Sequence, residues 1–535
     1  MVLPVAFLAV FFVLPLTGML ARGFYPDGTW DFSGVAEVLG RDRTIRVIGF
    51  TLGMALAGTI ITTGLGIPLA YVLYRLRFPG RGLLRAIVVM PFVLPTVVVG
   101  VMFRALLSTS GPLGSLGLDG TPWSILLAYI FFNLAVVVRT VGGTWEGLDT
   151  RAEDSAATLG ATPWQVLRTV TLPALTPAII SAASLVFLFC STAFGVVLTL
   201  GGLKYGTIET EIYLLTTQFL DLQAAAVLST LQLIGVVLML VLAQRARSSR
   251  EQSLRRSDGQ TLRRPGLVDL PALVIAAGAM VLILLPVGTL VWRSFHDGDG
   301  FTLRAYRLLA EPEAVPALRV SVLDAMENSL RTAMDATLIA MVLGVIVSIA
   351  VSRRPRRRSA RRFIASLDAA IMLPLGVSAV TIGFGFLITL DRPPLDLRSS
   401  AILVPIAQAM VAMPLVVRTL TPVLRGVDPR LRQAAAALGA SPIRASWTVD
   451  WPVIAKPLLA ATGFAFAVSL GEFGATSFLA RPDRPTVPVV IFDLIGRPGV
   501  DNLQMALAAS VLLSVVTVAV MSLVERLRVQ GVGQL

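Results

Sequence analysis

Apolar runs of about 20 residues, each closed by charge or by glycine and proline, recur along the chain at 2–20, 47–74, 87–107, 124–141, 174–200 and 222–243. A second set follows at 270–291, 330–351, 364–390, 401–417, 453–479 and 503–524. An α-helix rising about 1.5 Å per residue needs a run of that length to cross the hydrocarbon core of a bilayer. The pattern predicts an all-α integral membrane protein of about 12 transmembrane helices, six on each side of a polar stretch. The run 47–74 exceeds the bilayer thickness and is expected to tilt or project. The first run lacks a basic n-region and a small-residue cleavage site, so it is read as a helix and not as a removable signal.

The two sets of six are related. At one offset of 279 positions, Pro95 matches Pro374, Arg139 matches Arg418, Asp149 matches Asp428 and Gly160 matches Gly439. The same offset relates Pro163 to Pro442, Pro173 to Pro452 and Thr207 to Thr486. Matches spread this widely at one spacing indicate an internal repeat. An even number of spans per half makes both halves enter the membrane in the same sense, so the duplication is parallel, with a pathway expected between the halves. The chain then divides into a first repeat at 1–244, a basic linker at 245–269 and a second repeat at 270–535.

Composition narrows the class. With 55% hydrophobic and only 14% charged residues, and a mean hydropathy of +0.79, the chain cannot cover the surfaces of soluble domains and is far too apolar to be disordered. The net charge of +13 comes from short arginine runs between apolar stretches: Arg75, Arg77, Arg81 and Arg85; Arg245 to Arg264; and SRRPRRRSARR at 352–362. All three fall on one side if the N-terminus is cytoplasmic, so the positive-inside rule places both termini and the linker in the cytoplasm, in a cell (inner or plasma) membrane. Glu209, Glu211, Asp221, Asp297, Asp299, Glu311 and Glu313 fall in the opposite loops. Cys190 and His296 are the sole residues of their kinds, which leaves almost no material for a disulfide framework, a metal cluster or a nucleophilic catalytic set.

Between the fourth and fifth spans lies DSAATLGATPWQVLRTVTLPALTP, from Asp154 to Pro177; its counterpart between the tenth and eleventh is QAAAALGASPIRASWTVDWPVIAKP, from Gln433 to Pro457. An alanine-rich run makes a short helix, which Gly160 or Gly439 ends by taking a positive φ. Thr162 or Ser441 then caps a second helix, with Pro163 or Pro442 at its first position, where no N–H is missed. Each half thus offers a helix–turn–helix knob. A single copy would be read as surface helices joining two spans; two copies with the same turn chemistry suit a two-fold symmetric partner.

These loops, at about 151–177 and 430–457, resemble the EAA loop of permease subunits of ATP-binding-cassette (ABC) importers. In that pattern an acidic residue, two small residues and a glycine precede a Leu-Pro pair. The first copy supplies Asp154, Ser155, Ala156 and Gly160 with Leu172 and Pro173; the second supplies Gln433, Ala434, Ala435 and Gly439 with Trp451 and Pro452. Asp154 shortens the usual glutamate, Gln433 lacks its charge and Trp451 replaces leucine. Overall the chain is similar to the fused double permeases of the thiamine and ferric-iron importers, with the ABC importer type I permease fold. FGVVLTLGG at 194–202 and TIETEIYLLTTQFLDLQAAAVLS from Thr207 look most like the thiamine type. SLGEFGATSFLARPDRPTVPVVIF at 469–492 is shared more loosely with iron, sulfate and molybdate permeases.

The resemblance implies a transport subunit and not an enzyme. It implies a cytoplasmic ABC ATPase dimer that receives the knobs and an extracytoplasmic solute-binding protein. The sequence holds no G-x-x-x-x-G-K-[ST] phosphate loop, so ATP and Mg would sit on the partner ATPase and no cofactor on this chain. Asp154, Ser155, Ala156, Gly160 and Pro163, with Gln433, Ala434, Ala435, Gly439 and Pro442, are the candidate ATPase-coupling residues. Glu472, placed inside the eleventh span, is the pathway candidate; burying it near the bilayer centre costs about 2.5–3.5 kcal/mol on insertion scales. It either attracts a cationic solute or locks its helix to neighbours. Arg139 and Arg418 read as snorkelling anchors, and Pro91, Pro95 and Pro374 as kinks. A secondary transporter, which would need coupling carboxylates in several spans, and an integral-membrane enzyme, which would need clustered His, Asp or Glu, are the competing classes.

Overall fold

The computed structural model describes residues 2–25, 28–202, 204–248, 262–297, 300–311, 320–352, 377–391 and 395–530, with 359, 362, 364, 366–367, 370–371 and 373–374 between. Most of the arginine run at 352–362, part of the linker with Arg250, Arg255 and Arg256, and Asp299 and Glu313 lie outside the described residues.

Ten helices among the described residues are long and apolar enough to cross a membrane. In the first half these are α1 (Val2–Phe24), α2 (Asp42–Arg75), α5 (Pro122–Glu146), α7 (Pro163–Ser191) and α10, whose apolar stretch is Leu222–Leu242. In the second half they are α11 (Leu267–Ser294), α12 (Val322–Ser352), α14 (Leu403–Gly426), α16 (Ser446–Leu470) and α19 (Val500–Val524). Twelve were expected, and the third and ninth account for the difference. The third span is a pair, α3 (Arg81–Val93) and α4 (Thr96–Leu107), bent by 106°. Pro95 has no N–H for the helix ladder and drives Leu94 into the extended region, where its φ is −70° and ψ 141°. The ninth contributes the shorter helix α13 (Ala379–Thr389), and the residues before it are described only in part.

The fifth and eleventh spans end earlier than the apolar runs suggested, at Ser191 and Leu470. Each is followed by a turn and a short buried helix, α8 (Gly195–Leu200) and α17 (Thr476–Leu479). Further short helices, α9 (Ile208–Thr217) and α18 (Val487–Ile495), then lead into α10 and α19.

Packing is duplicated as the sequence is. In the first half α2, α5 and α7 pack on one another, and in the second α12, α14 and α16 do the same. The outer helices are exchanged: α1 packs on α10 of its own half and on α13 of the other, while α11 packs on α19 and on α2 and α4. The first amides of α9 and α18 are satisfied alike, the Ile208 N–H donating to Thr51 Oγ1 at 3.0 Å and the Val487 N–H to Ser329 Oγ at 2.7 Å. Thr207 and Thr486 stand at the N-caps of these helices, both buried. A buried N–H without a partner costs roughly 1–3 kcal/mol, so each bond fixes a helix start against a neighbouring span.

Candidate functional site

Each knob is built from capped, closed turns. The first begins at α6 (Arg151–Thr158), where Asp149 Oδ1 accepts the Arg151 N–H at 3.0 Å. The second begins at α15 (Pro429–Ala437), where Asp428 Oδ1 accepts the Arg430 N–H at 2.9 Å. Asp428 is thus the N-cap of its helix, and Asp149 caps the first turn of α6 from the position before the N-cap Thr150. Both helices end in the same double bond: Gly160 N–H to Ala157 O at 3.0 Å with Ala161 N–H to Ala156 O at 3.1 Å, and Gly439 N–H to Ala436 O with Ala440 N–H to Ala435 O, both at 3.0 Å. This is a Schellman closure. It needs a left-handed residue, and Gly160 and Gly439 supply it at φ +87° and +83°.

The second arm of the first knob starts with a capping box. Thr162 Oγ1 accepts the Gln165 N–H at 3.3 Å, and Gln165 Oε1 accepts the Thr162 N–H at 2.8 Å, with Pro163 in the first turn. In the second knob Ser441 Oγ accepts the Arg444 N–H at 3.3 Å, at the start of the short helix Pro442–Ala445. Asp154 and Gln433 are both exposed. The tips are apolar: Leu159 and Leu438, one step before each glycine, are each 89% exposed, and Trp164 and Trp447, further along each knob, are exposed as well.

Sequence reasoning missed what anchors the knobs. Glu153 accepts from Thr171 Oγ1 at 2.8 Å and pairs with Arg75 at the end of α2. At the matching positions of the second half, Arg432 Nε donates to the buried Asp450 at 2.7 Å, and its Nη2 to Leu424 O at 3.3 Å. The same cross-brace is made twice with its polarity reversed, so no residue identity recurs there to be noticed. Arg75 joins a further element: its carbonyl accepts the Arg263 N–H at 3.3 Å, and the Arg77 N–H donates to Arg263 O at 2.8 Å. The described end of the linker and the first knob therefore meet at the same end of α2.

Where the two halves meet, the broken spans converge. A Cβ on Gly471, just past α16, would lie 3.2 Å from Pro95 Cα, at the break between α3 and α4. Glu472 is not within a span as expected; Gly471 has already closed α16. Its carboxylate accepts the Ala475 N–H at 2.7 Å, the Thr476 N–H at 3.0 Å and the Thr476 hydroxyl at 2.5 Å, which locks the turn into α17. Glu209 and Glu211, expected in a loop, are buried on α9 instead. Glu209 accepts from Ser378 Oγ of the second half at 2.5 Å and from the Gln232 side chain. Glu211 takes Arg43 in a two-point pair at 2.7 and 2.9 Å. The threonine cap at Thr207 followed by acidic residues in the first helical turn is the signal that could have found them. Arg139 and Arg418 are exposed on their helices.

Comparison with known proteins places this architecture. Residues 62–248 match the family described as binding-protein-dependent transport system inner membrane component. The thiamine transport system permease protein ThiP of Brucella abortus (strain 2308) is 28% identical over 495 residues, spanning 90% of this chain and 87% of that protein. The Escherichia coli (strain K12) protein of the same name is 27% identical over 469 residues, 84% of this chain and 83% of its own. A chain of a bacterial ABC transporter involved in the import of the acidic polysaccharide alginate aligns at 19% identity and a TM-score of 0.41, over 46% of this chain and 93% of that one. With all-α architecture, helices of membrane-crossing length and relatives aligned along both halves, the chain is a multi-pass membrane protein similar to the inner-membrane permease subunits of ABC importers.

Proposed function

We propose that this permease forms the translocation pathway of a thiamine-type importer and is driven through its two knobs by a separate cytoplasmic ATPase dimer. The observation that carries the coupling is the pair of identically closed turns at Gly160 and Gly439, each presenting an almost fully exposed leucine. An apolar side chain held out on a capped, braced turn suits insertion into a partner groove. Ser155, Ala156, Ala434 and Ala435 keep the helix before each turn small, and Asp154 brings a charge to the first knob that Gln433 does not bring to the second.

In this reading the termini and linker are cytoplasmic, on the knobs' side. The contact of Arg75 with both Glu153 and Arg263 supports a shared side for linker and knob. An extracytoplasmic binding protein delivers solute to the opposite face. Closure of the ATPases draws the knobs together and rocks the halves about their interface. Thiamine is favoured as solute by the names of relatives aligned along most of the chain; ferric iron or a sulfate-like or molybdate-like anion is the alternative. The test is uptake of labelled thiamine by cells expressing this chain with an ABC ATPase and a thiamine-binding protein of the matching relatives' system. ATP-dependent uptake lost in the Gly160→Val/Gly439→Val double variant supports both parts. Normal uptake in that variant overturns the coupling, and uptake of iron or an anion in place of thiamine overturns the solute.

A further inference from the structure

A ladder of four aromatic rings crosses the interface between the halves. Tyr213 on α9 lies 5.4 Å from Phe194, Phe194 stacks on Phe473 at 5.4 Å and an interplanar angle of 19°, and Phe473 lies 5.4 Å from Phe492 on α18. Phe194 and Phe473 are related by the repeat offset of 279, and so are Tyr213 and Phe492. The stacked pair is therefore a residue meeting its own counterpart, at the position where an axis between the halves would pass. Each partner of the pair follows the early end of a span, where the backbone has left the helix.

Acidic groups flank the ladder. Glu209 stands one helical turn before Tyr213, and Glu472 immediately precedes Phe473; both are buried, at 0% and 6% exposure. Their bonds come from Ser378, Gln232, Thr476 and backbone N–H groups, and among the described residues no arginine or lysine donates to either. Two buried acidic groups without basic partners make this interface selective for a cation over an anion, because an arriving cation stabilises their charged forms and an anion opposes them. Aromatic faces add stacking and cation–π attraction, which select a flat, positively charged ring over a compact hydrated ion.

We propose that the Phe194–Phe473 pair is both the closed plug of the pathway and its stacking subsite, parting by one ring thickness to hold a flat aromatic cation in transit between Tyr213 and Phe492. The closed state satisfies the two rings with each other, and rocking of the halves exchanges that contact for ring–solute contacts on both faces. For the solute this rests on the thiamine-type reading and deepens it; for the geometry it stands on the ladder alone.

The test uses the complete transporter in proteoliposomes, with labelled thiamine below saturation. Phe194→Leu and Phe473→Leu keep bulk and apolarity and remove the aromatic face, and each is expected to lose about tenfold in uptake, equivalent to about 1.4 kcal/mol. Phe194→Tyr, which keeps the aromatic face, should retain uptake, whereas a merely space-filling role for the ring predicts no such loss in the leucine variants. Thiamine uptake by the parent with the leucine variants within twofold of it overturns the subsite. If the parent takes up no thiamine, the solute reading fails, and the subsite is decided by Phe473→Trp in the purified full-length chain. Saturable quenching of the added tryptophan by 1-methylquinolinium but not by choline supports it; no quenching, or equal quenching by choline, overturns it.

Discussion

The exchange of α1 onto the second half includes one especially close approach. A Cβ added to Gly18 would fall inside the van der Waals sphere of Thr389 Cγ2 on α13, while Thr389 Cβ lies at a tolerable 3.4 Å. Thr389 cannot swing away freely, because its Oγ1 donates to Gly385 O at 2.6 Å. Between membrane helices, where lipid competes for apolar contact, small residues and close packing supply much of the association. Gly18→Ala should cost up to about 3 kcal/mol for overpacking, less about 1 kcal/mol regained from alanine's helix propensity, a net loss of about 2 kcal/mol. Thr389→Ser removes the offending methyl and keeps the hydroxyl, so Gly18→Ala/Thr389→Ser should return to within about 0.5 kcal/mol of the parent, a coupling typical of residues in contact. Denaturant titration of the purified permease in mild detergent, followed by circular dichroism, measures all four corners of the cycle. A Gly18→Ala protein as stable as the parent, or a loss that Thr389→Ser leaves unrepaired, refutes the close approach of Gly18 to Thr389.

Other outcomes follow from the knobs and the linker. Arg432→Ala strands the buried Asp450 carboxylate and should loosen the second knob by about 2 kcal/mol, below the roughly 3–5 kcal/mol of a fully buried pair because Arg432 is partly exposed; hydrogen exchange across 429–450 reads it, and unchanged protection rejects the brace. Gly160→Val forces a β-branched residue into the left-handed region at a cost of about 1–2 kcal/mol, so ATPase copurification should fall while membrane insertion is kept; full copurification counts against the turn as the contact. A cysteine engineered in the linker should resist a membrane-impermeant thiol reagent in intact cells, whereas one at Gly117 should react, and the reverse pattern would invert the topology.

Much of this fold was legible because membrane burial writes length and polarity directly into the sequence. The knobs were legible in detail, since Gly160, Thr162 and Pro163 and their counterparts each have one backbone task that few residue types perform. The early ends of the fifth and eleventh spans were not, because Ala193–Leu200 and Phe473–Leu479 remain apolar in packed turns and short helices, and hydropathy cannot distinguish these from a continuing span. Glu209 was misplaced for the converse reason. A carboxylate reads as solvent-exposed unless its neutral donors are known, and Ser378, one of them, is 169 positions away.

Duplication also explains where symmetry is kept and where it is released. The contacts repeated with similar chemistry, the Thr51 and Ser329 bonds to helix starts and the two Schellman turns, set backbone geometry that both halves share. The reversed pairs, Glu153 with Thr171 and Arg75 against Arg432 with Asp450, act locally and need only hold a knob in place. Asp154 against Gln433 is a third kind of difference, because both are exposed and neither is required by its turn. A charge that the fold does not need, offered on one knob alone, bears on the partner. Asp154→Gln alone should weaken ATPase binding and flatten its salt dependence, while exchanging the two residues should preserve assembly. Unchanged affinity and salt response in Asp154→Gln would mean that the carboxylate only favours a helix start, and that shape, carried by Leu159 and Leu438, does the coupling by itself.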